Sequence, residues 1–303
     1  MIDFKPVTPE DISIYKPYLM DGNERGCEYS FANLYLWGRQ RAAILHEHLV
    51  LFSQFNRRSV YPYPAGKGDK KIVLDAIIAD AKARGIPCRI TGLDAHAIET
   101  LQTIYPASFR FHCDEDAFDY VYAIDDLADL KGRKYQAKRN HLNRFRDAYP
   151  DYTVEPLATT NLSKALEMVE KWYESKALEN PNSDFHMEKI ALAKAFYHYK
   201  ELDMEGLILL GNDNVLAITF GSPLSPDTFD IHFEKALSDV QGAYTAINYE
   251  FARYIREKHP NVHFLNREED MGIEGLRQAK RRYHPHHMVE KHWACLLEDD
   301  YEY

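Results

Sequence analysis

The order of apolar patterns along the chain constrains its fold more than any other feature of the sequence. Each half shows three short runs typical of strands, followed by a helix, a strand, a second helix and a last strand. Apolar residues alternate or cluster briefly in the strands and recur every three or four residues in the helices. Because the helices interrupt a largely antiparallel meander, we predict an α+β fold rather than a doubly wound sheet.

The first half of the chain carries clear stop and start signals for its helices. Gly85 stands where a helix ends, and Asp94 stands where the next one is capped. The predicted strands are 42–47, 49–55, 59–63, 88–91, 109–111 and 120–123, and the predicted helices are 70–84 and 94–104.

The second half repeats this order loosely, so a duplication is a reasonable interpretation. The predicted strands are 153–156, 206–211, 215–222, 228–233, 262–265 and 288–296, and the predicted helices are 162–178, 187–199, 244–258 and 272–282. The boundary is expected where the acidic letters DDLADL change into the basic letters KGRK. We therefore expect two domains, 1–130 and 131–303, with residues 131–150 as a basic connecting helix.

Composition and charge exclude several classes of protein. The formal net charge of −10 excludes a generic nucleic-acid coat protein, although it leaves room for a local basic groove. The four cysteines lie far apart in sequence and predict free thiols rather than a CxxC motif or a zinc knuckle. The first residues show no signal peptide, and no apolar run approaches the roughly 18 residues of a membrane helix. We expect a cytoplasmic protein.

The strongest reversal of charge lies in residues 131–150, which hold seven basic side chains and one acidic one. On a helix, Arg139, Asn143 and Arg146 share one face, and Asn140 adds a second amide. This pattern is typical of an anion-binding helix, and a solvated linker helix that balances an acidic body explains the charge equally well.

A second candidate segment is the turn Gln241-Gly242-Ala243-Tyr244, which joins a strand to a helix. Backbone N–H groups at such a helix start can hold a pyrophosphate or another anion. An ordinary capped turn gives the same pattern. On the strand before it, Asp230, His232 and Glu234 alternate onto one face, where a general base or a half-exposed edge would fit.

The third segment is NREEDMGIEGLRQAKRRYHP, residues 266–285. Asn266, Arg267, Glu268 and Asp270 follow a predicted strand and form a polar set there, although acids before a helix also satisfy its dipole. The candidate residues of the following helix are Arg277 and Lys280. The nearby histidines His284, His286, His287 and His292 lack a standard zinc spacing, and no phosphate-binding or nucleophile motif occurs in the chain.

Together these segments resemble a family of uncharacterised bacterial proteins similar to the C-terminal catalytic domain of phosphatidylglycerol lysyltransferase. The resemblance covers about residues 28–292 and rests on NREEDMGIEGLRQAKRRYHP, KGRKYQAKRNHLNRF, QGAYTAINYEFARY and CEYSFANLYLW. It implies a GNAT-like acyltransferase with two GNAT units in tandem, as in the Fem-type peptidyltransferases. The implied sheets are mostly antiparallel and mixed, with flanking helices.

The resemblance also implies a reaction and a set of residues. An acceptor amine or hydroxyl would attack the ester or thioester of an acyl-CoA or of an aminoacyl-tRNA, and no tightly bound cofactor is implied. The implied roles are a general base among Glu234, Asp270 and Glu268, a donor loop at Gln241, Gly242, Ala243 and Tyr244, and substrate contacts from Arg139, Asn140, Asn143, Asn266, Arg267, Arg277 and Lys280.

Two other functions stay open from the sequence. The chain could be a non-catalytic tandem-GNAT scaffold that binds a ligand, or an RNA-binding protein that uses the basic segment without chemistry. Saturable turnover with an amine acceptor distinguishes the transferase, and steep salt dependence distinguishes RNA binding. The donor and the acceptor are left open.

Overall fold

The computed structural model describes residues 1–22, 25–55, 58–179 and 185–297. It contains both strands and helices throughout, with short 3₁₀ turns between them. The strands are β1 (Lys5–Pro6), β2 (Gln40–Leu45), β3 (His48–Phe55), β4 (Arg58–Pro62), β5 (Ala65–Gly66), β6 (Arg89–Leu93), β7 (Phe109–Cys113), β8 (Asp119–Ala123), β9 (Thr153–Pro156), β10 (Glu205–Gly211), β11 (Asn214–Ser225), β12 (Thr228–Ala236), β13 (Phe264–Asn266), β14 (His287–Val289) and β15 (His292–Leu296). The helices are α1 (Ile12–Gly22), α2 (Phe31–Leu36), α3 (Lys70–Arg84), α4 (Ala95–Ile104), α5 (Ile124–Asp129), α6 (Gln136–Ala148), α7 (Leu162–Glu179), α8 (His186–Tyr197), α9 (Ala243–Lys258) and α10 (Glu274–Arg281).

The chain divides into two compact units. Unit 1 comprises residues 1–120, 268–274 and 288–303, and unit 2 comprises residues 121–267 and 275–287. This differs from the expected domains 1–130 and 131–303. The difference arises because β15, near the end of the sequence, pairs with β6 and β7 of unit 1. Local patterns could not show this, because strand pairing over about 200 residues leaves no periodic signal.

Unit 1 is built on an eight-stranded sheet in the order β1–β2–β3–β4–β6–β15–β7, with β5 paired to β3. Its neighbours are antiparallel except for β4 and β6, which run parallel. Helix α3 packs its apolar stripe, including Val73 and Ile77, into the core of this unit. As the sequence predicts, Asp69 and Gly85 bound this helix, and Gly85 has the left-handed conformation (φ +67°).

Unit 2 is built on a seven-stranded sheet in the order β14–β8–β13–β12–β11–β10–β9. Strands β12 and β13 run parallel, whereas the long strands β10, β11 and β12 form an antiparallel meander. Helix α9 crosses this meander and buries Ile247, Phe251 and Ile255. The expected fold class, α+β with mostly antiparallel mixed sheets flanked by helices, is confirmed. No helix in the described parts of the chain is both long and apolar enough to cross a membrane.

Candidate functional site

Unit 2 holds a buried polar cluster at Glu234 on β12. One Glu234 oxygen, Oε1, accepts a hydrogen bond from Arg267 Nη2 at 2.7 Å, and Oε2 accepts one from Asn248 Nδ2 at 3.1 Å. Glu234 stands on the sheet, Asn248 on α9, and Arg267 directly after β13. Three elements that lie far apart in sequence therefore place one carboxylate, one guanidinium and one amide together.

The prediction that Asp230, His232 and Glu234 share one face of β12 is wrong. A β-bulge interrupts the alternation, because Phe220 on β11 pairs with Phe233 whereas the next residue, Gly221, pairs with Ile231. Glu234 therefore lies on the face of Thr219, and Asp230 lies on the opposite face with Ser222. His232 belongs to the buried set on that opposite face, because its Nε2 lies 2.8 Å from Ser222 Oγ and its Nδ1 lies 3.5 Å from Asp230 Oδ2.

Arg267 is held in an aromatic setting. Its guanidinium carbon lies 5.6 Å from the ring centroid of Tyr122 and 4.9 Å from that of Tyr283. Burial is the largest single influence on the pKa of Arg267 and lowers it, but the Glu234 carboxylate together with Tyr122 and Tyr283 outweighs burial, and the pKa is raised. Arg267, which the sequence predicts as a site residue, is therefore charged and largely enclosed.

Several polar atoms around this ion pair are buried without a hydrogen-bond partner among the described residues. They are Arg267 Nη1, Asn248 Oδ1 and Thr219 Oγ1. Thr219 on β11 is the cross-strand partner of Glu234, so it shares the same face of the sheet. Buried polar groups are nearly always satisfied, and an orphaned one indicates a missing water, ion or ligand.

Lys138 on α6 was not selected from the sequence, but it lies at this cluster. Its ammonium lies 3.5 Å from the ring centroid of Tyr283. Burial is the main cause that lowers the pKa of Lys138 to about 8; the Arg267 charge lowers it further, and Glu234 opposes the shift. A sequence signal was present, because Lys138 lies three residues after the buried Tyr135 and four before the buried Leu142, on the apolar stripe of its helix.

The other predicted residues near Arg267 support its backbone. Lys280 is buried on α10, and its ammonium donates to the Arg267 carbonyl oxygen at 2.6 Å. Asn266 is fully buried and pairs in register with Asp230 across β12 and β13. Arg277 lies half-buried on α10. Lys280 and Asn266 therefore fix the position of Arg267.

The predicted donor loop is packed against α6. Gly242 has φ +85°, and a Cβ there would lie 2.4 Å from the His141 carbonyl oxygen. The Ala243 N–H already donates to the Val240 carbonyl oxygen, and the Tyr244 hydroxyl accepts from Trp172 Nε1 at 2.8 Å. Gln241 is exposed. The close packing explains the glycine, and the prediction that this turn holds a donor stays a prediction.

The side chains on the predicted basic face of α6 differ in exposure, because Arg139 is half-buried and the others described below are exposed. Arg139 donates to the carbonyl oxygens of Leu130 and Gly132, so it ties the segment after α5 to α6. Asn140 and Asn143 are exposed, and so is Arg144. Arg139 therefore has a structural role that the sequence pattern did not reveal.

Two of the three predicted bases, Glu268 and Asp270, belong to unit 1. Asp270 is buried and accepts hydrogen bonds from the Tyr120 hydroxyl at 2.6 Å and from the Gly272 N–H at 2.9 Å. Glu268 accepts from Asn33 Nδ2 at 3.0 Å and has φ +58°. Both carboxylates hold the loop of residues 268–274 in place within that unit.

Unit 1 also contains a buried charge cluster that the sequence analysis missed. Lys291 Nζ lies within 3.1 Å of carboxylate oxygens of Asp119, Glu28 and Glu269, and 3.4 Å from Cys27 Sγ. Asp119, Glu269 and Cys27 have the spacing of metal ligands, but the lysine ammonium already supplies the cation there. Burial raises the pKa of Cys27 well above its usual value, so this thiol is a poor nucleophile.

The geometry of unit 2 supports recognition of a dipolar ligand. Asn248 donates to the Glu234 carboxylate and Thr219 is its cross-strand neighbour, so their unpartnered oxygens Asn248 Oδ1 and Thr219 Oγ1 are acceptors near Glu234. The donors Arg267 Nη1 and Lys138 Nζ belong to the two cations that contact the Tyr283 ring. A cationic group fits the first set and an anionic group fits the second.

Comparison with solved structures places this fold among known proteins. A conserved protein of unknown function from Bacteroides thetaiotaomicron is 38% identical, with a TM-score of 0.93 over 98% of this chain and 100% of that one. The structure of L-PGS from Bacillus licheniformis has a TM-score of 0.70 at 14% identity, over 98% and 94% of the two chains. The FemX structure has a TM-score of 0.65 at 10% identity over 98% of both chains, so these two show a shared fold.

Sequence comparison agrees with the structural one. An uncharacterized protein of Mycoplasmoides gallisepticum, MYCGA3080, is 23% identical over 187 residues, which are 60% of this chain and 58% of that protein. Residues 21–295 match the family described as phosphatidylglycerol lysyltransferase, C-terminal. This match confirms the expected resemblance, and the expected class of enzyme, an acyl- or aminoacyltransferase, agrees with it. The chain belongs to the phosphatidylglycerol lysyltransferase C-terminal family.

Proposed function

We propose that this protein transfers an aminoacyl group from a charged tRNA to an amine or hydroxyl acceptor. The observation that carries the proposal is the buried set of acceptor atoms at Glu234, with Asn248 Oδ1 and Thr219 Oγ1 left without partners. The α-ammonium of an aminoacyl ester offers three N–H donors and a positive charge to such a set. An acetyl group offers neither, so an aminoacyl donor matches the site better.

Glu234 acts in this proposal as a binding residue for the ammonium. Both of its oxygens already accept one hydrogen bond, from Arg267 and from Asn248, and a carboxylate can accept about four. The remaining lone pairs of Glu234 can therefore accept hydrogen bonds from an ammonium group. The acceptor nucleophile attacks the ester carbonyl carbon, a tetrahedral oxyanion forms, and the terminal ribose oxygen of the tRNA leaves with a proton.

The exposed part of the basic helix supports tRNA as the carrier. Arg133 and Arg144 are exposed, as are Asn140 and Asn143 between them. Exposed cations and amides on one element suit the phosphates and sugars of RNA. The Gln241–Tyr244 turn supports a donor other than acyl-CoA, because its glycine is packed against α6 and the Ala243 N–H is already bonded.

The proposal is tested with a pool of tRNAs charged with radiolabelled amino acids. We expect wild-type protein to release label from tRNA into an acceptor-linked product when hydroxylamine or a mixture of amines is supplied. Acetyl-CoA should give no product. Glu234→Gln should lose most of this activity, and Glu257→Gln, at an exposed position on α9, should retain it.

Two results would overturn the proposal. Turnover of acetyl-CoA with no use of charged tRNA would identify an acyl-CoA transferase. Saturable tRNA binding without loss of label, for any amino acid, would identify a non-catalytic RNA-binding relative. Circular dichroism of each variant distinguishes loss of function from loss of fold.

A further inference from the structure

Two cations at the edge of the Glu234 cluster contact one aromatic ring, and each has a donor without an acceptor among the described residues. Lys138 Nζ lies 3.5 Å, and the Arg267 guanidinium carbon 4.9 Å, from the ring centroid of Tyr283. Within the described parts of the chain, Lys138 makes no ion pair or hydrogen bond, and Arg267 Nη1 is buried without a partner although Nη2 donates to Glu234. Both donors therefore lie close to the Tyr283 ring.

A purely structural role does not explain why Lys138 and Arg267 contact the same ring. A half-buried ammonium loses hydration, and like charges that contact one ring repel each other. Burial is the main cause of the lowered pKa of Lys138, and Arg267 and Arg282 lower it further while Glu234 opposes them. The Glu234 carboxylate is engaged by Arg267 and Asn248, so it leaves Lys138 without a direct acceptor. An anion between the two cations would satisfy both.

We propose that Lys138 and Arg267 form a binding site for a phosphate group of the substrate. The identity of the molecule that carries this phosphate rests on the function proposed above, whereas the site itself does not. In a charged tRNA, the phosphate nearest the aminoacyl ester would occupy it. The ammonium and the phosphate would then lie on opposite sides of the Glu234–Arg267 ion pair.

The geometry favours phosphate over carboxylate. An arginine that recognises a carboxylate normally offers two parallel N–H groups, and Arg267 has already used Nη2 on Glu234. Its remaining donor Nη1 and the separate Lys138 ammonium can instead reach two oxygens of one tetrahedral anion. Lysine also binds phosphate well as a point charge. Tyr283, whose ring both cations face, supplies a rigid wall on one side.

The first test is calorimetric titration of the purified full-length chain with pyrophosphate at pH 7 and low salt. Lys138→Met and Lys138→Gln should each weaken binding by roughly tenfold or more, because a charge-assisted hydrogen bond is lost. The matched control is Lys134→Met, which removes the same charge from an exposed lysine that pairs with Asp126. It should bind pyrophosphate as the wild type does.

The site would be refuted by equal pyrophosphate affinity in the Lys138 and Lys134 variants, or by no saturable binding in the wild type. A folded Lys138→Gln protein keeps the test valid if Lys138→Met is unstable.

Further titrations identify the source of the phosphate. A CCA-ended RNA minihelix, coenzyme A and phosphatidylglycerol vesicles are compared in wild type and Lys138→Met. If only the minihelix binds more tightly to the wild type than to Lys138→Met, the result supports tRNA as the source of the phosphate. If only coenzyme A or the vesicles show this difference in affinity, the phosphate site is retained but tRNA is not the donor. The phosphate site and the tRNA donor can therefore be refuted independently.

Discussion

At the residue scale, Thr219 offers a direct way to separate function from stability. Its hydroxyl is fully buried without a partner, which costs free energy in the folded state. Thr219→Val keeps the shape of the side chain and removes that cost. We therefore expect the free energy of unfolding to stay equal or rise by about 1 kcal/mol, while the use of charged tRNA falls several-fold.

Urea unfolding and the label-release assay measure the two effects. A drop in stability would show that the hydroxyl is satisfied in the folded protein, for instance by a structural water. Unchanged activity would remove Thr219 from the ammonium site.

Lys138 makes phosphate binding depend on pH. The ammonium must be protonated to pair with a phosphate, and its pKa in the free protein is about 8. The charged groups that face it are Arg267, Glu234 and Arg282, and the neighbouring Tyr283 has a pKa raised to about 12 by burial. The affinity for pyrophosphate should be retained below pH 8 and should fall above it towards the affinity of the Lys138→Met protein.

Calorimetry between pH 6.5 and 9.5 measures this profile. Pyrophosphate itself gains negative charge over the range, which would strengthen binding, so a fall above pH 8 must come from the protein. The Lys138→Met protein should lack the fall. A wild-type affinity that rises steadily to pH 9.5 would exclude the role of Lys138.

The sequence indicates the residues of the candidate site only in part. It predicts Glu234 from a regular alternation on β12 that a β-bulge in fact interrupts, and it predicts Arg267 because that residue follows a strand end. Glu268 and Asp270 stand in the same motif, yet the chain passes from unit 2 to unit 1 between Arg267 and Glu268. No local signal marks that passage. The sequence pattern points to the charged face of α6 as the candidate binding face. Lys138 lies instead on the apolar stripe of that helix, so the pattern does not select it.

At the element scale, the start of α9 depends on the close approach of Gly242 to α6. A Cβ at this position would lie 2.4 Å from the His141 carbonyl oxygen and 3.0 Å from the Phe145 Cβ. Gly242→Ala should lower the free energy of unfolding of unit 2 by about 1–3 kcal/mol or more, from backbone strain plus overpacking. Gly85 also has the left-handed conformation, with φ +67°, but a Cβ there would meet nothing within 4 Å.

Gly85→Ala therefore reports the cost of the left-handed conformation without the clash. Urea unfolding of both variants should show the larger loss for Gly242→Ala. Equal losses would mean that the helix shifts to accommodate the methyl group, and that the packing of the turn on α6 is not what requires glycine.

The sequence predicts the helices and strands more accurately than the residues of the candidate site. Helix α3 was predicted with its observed bounds, because its cap, apolar stripe and terminal glycine all agree. The single strand predicted over 288–296 is two strands, β14 and β15, since Glu290 and Lys291 interrupt it. Helix α1 was missed, because its apolar residues are spaced irregularly around Pro17.

At the scale of the whole molecule, the C-terminal strand completes unit 1. Strand β15 lies between β6 and β7, and Lys291 just before it holds the Asp119, Glu28 and Glu269 carboxylates. A chain that ends at Glu290 should therefore lose the protection of β6 and β7 amides against hydrogen exchange, because β7 loses its partner and the buried carboxylates lose their cation.

Hydrogen exchange with mass spectrometry follows each strand separately. A chain that ends at Leu297 keeps β15 and serves as the control. Retained protection of β6 and β7 in the shorter chain would show that unit 1 is stable without its last strand. Strands β10, β11 and β12 pair with one another in the separate sheet of unit 2 and report whether that unit stays folded.

The central claim is that unit 2 receives the aminoacyl end of a charged tRNA at Glu234, and photocrosslinking tests it most directly. The probe is a tRNA minihelix whose 3′-terminal amino acid is joined by a stable amide and carries a diazirine. Mass spectrometry of the full-length protein should find crosslinked peptides from β12, from the start of α9 and from residues 266–283, and Glu234→Gln should reduce them. Crosslinks confined to other segments, or unchanged by Glu234→Gln, would contradict the account.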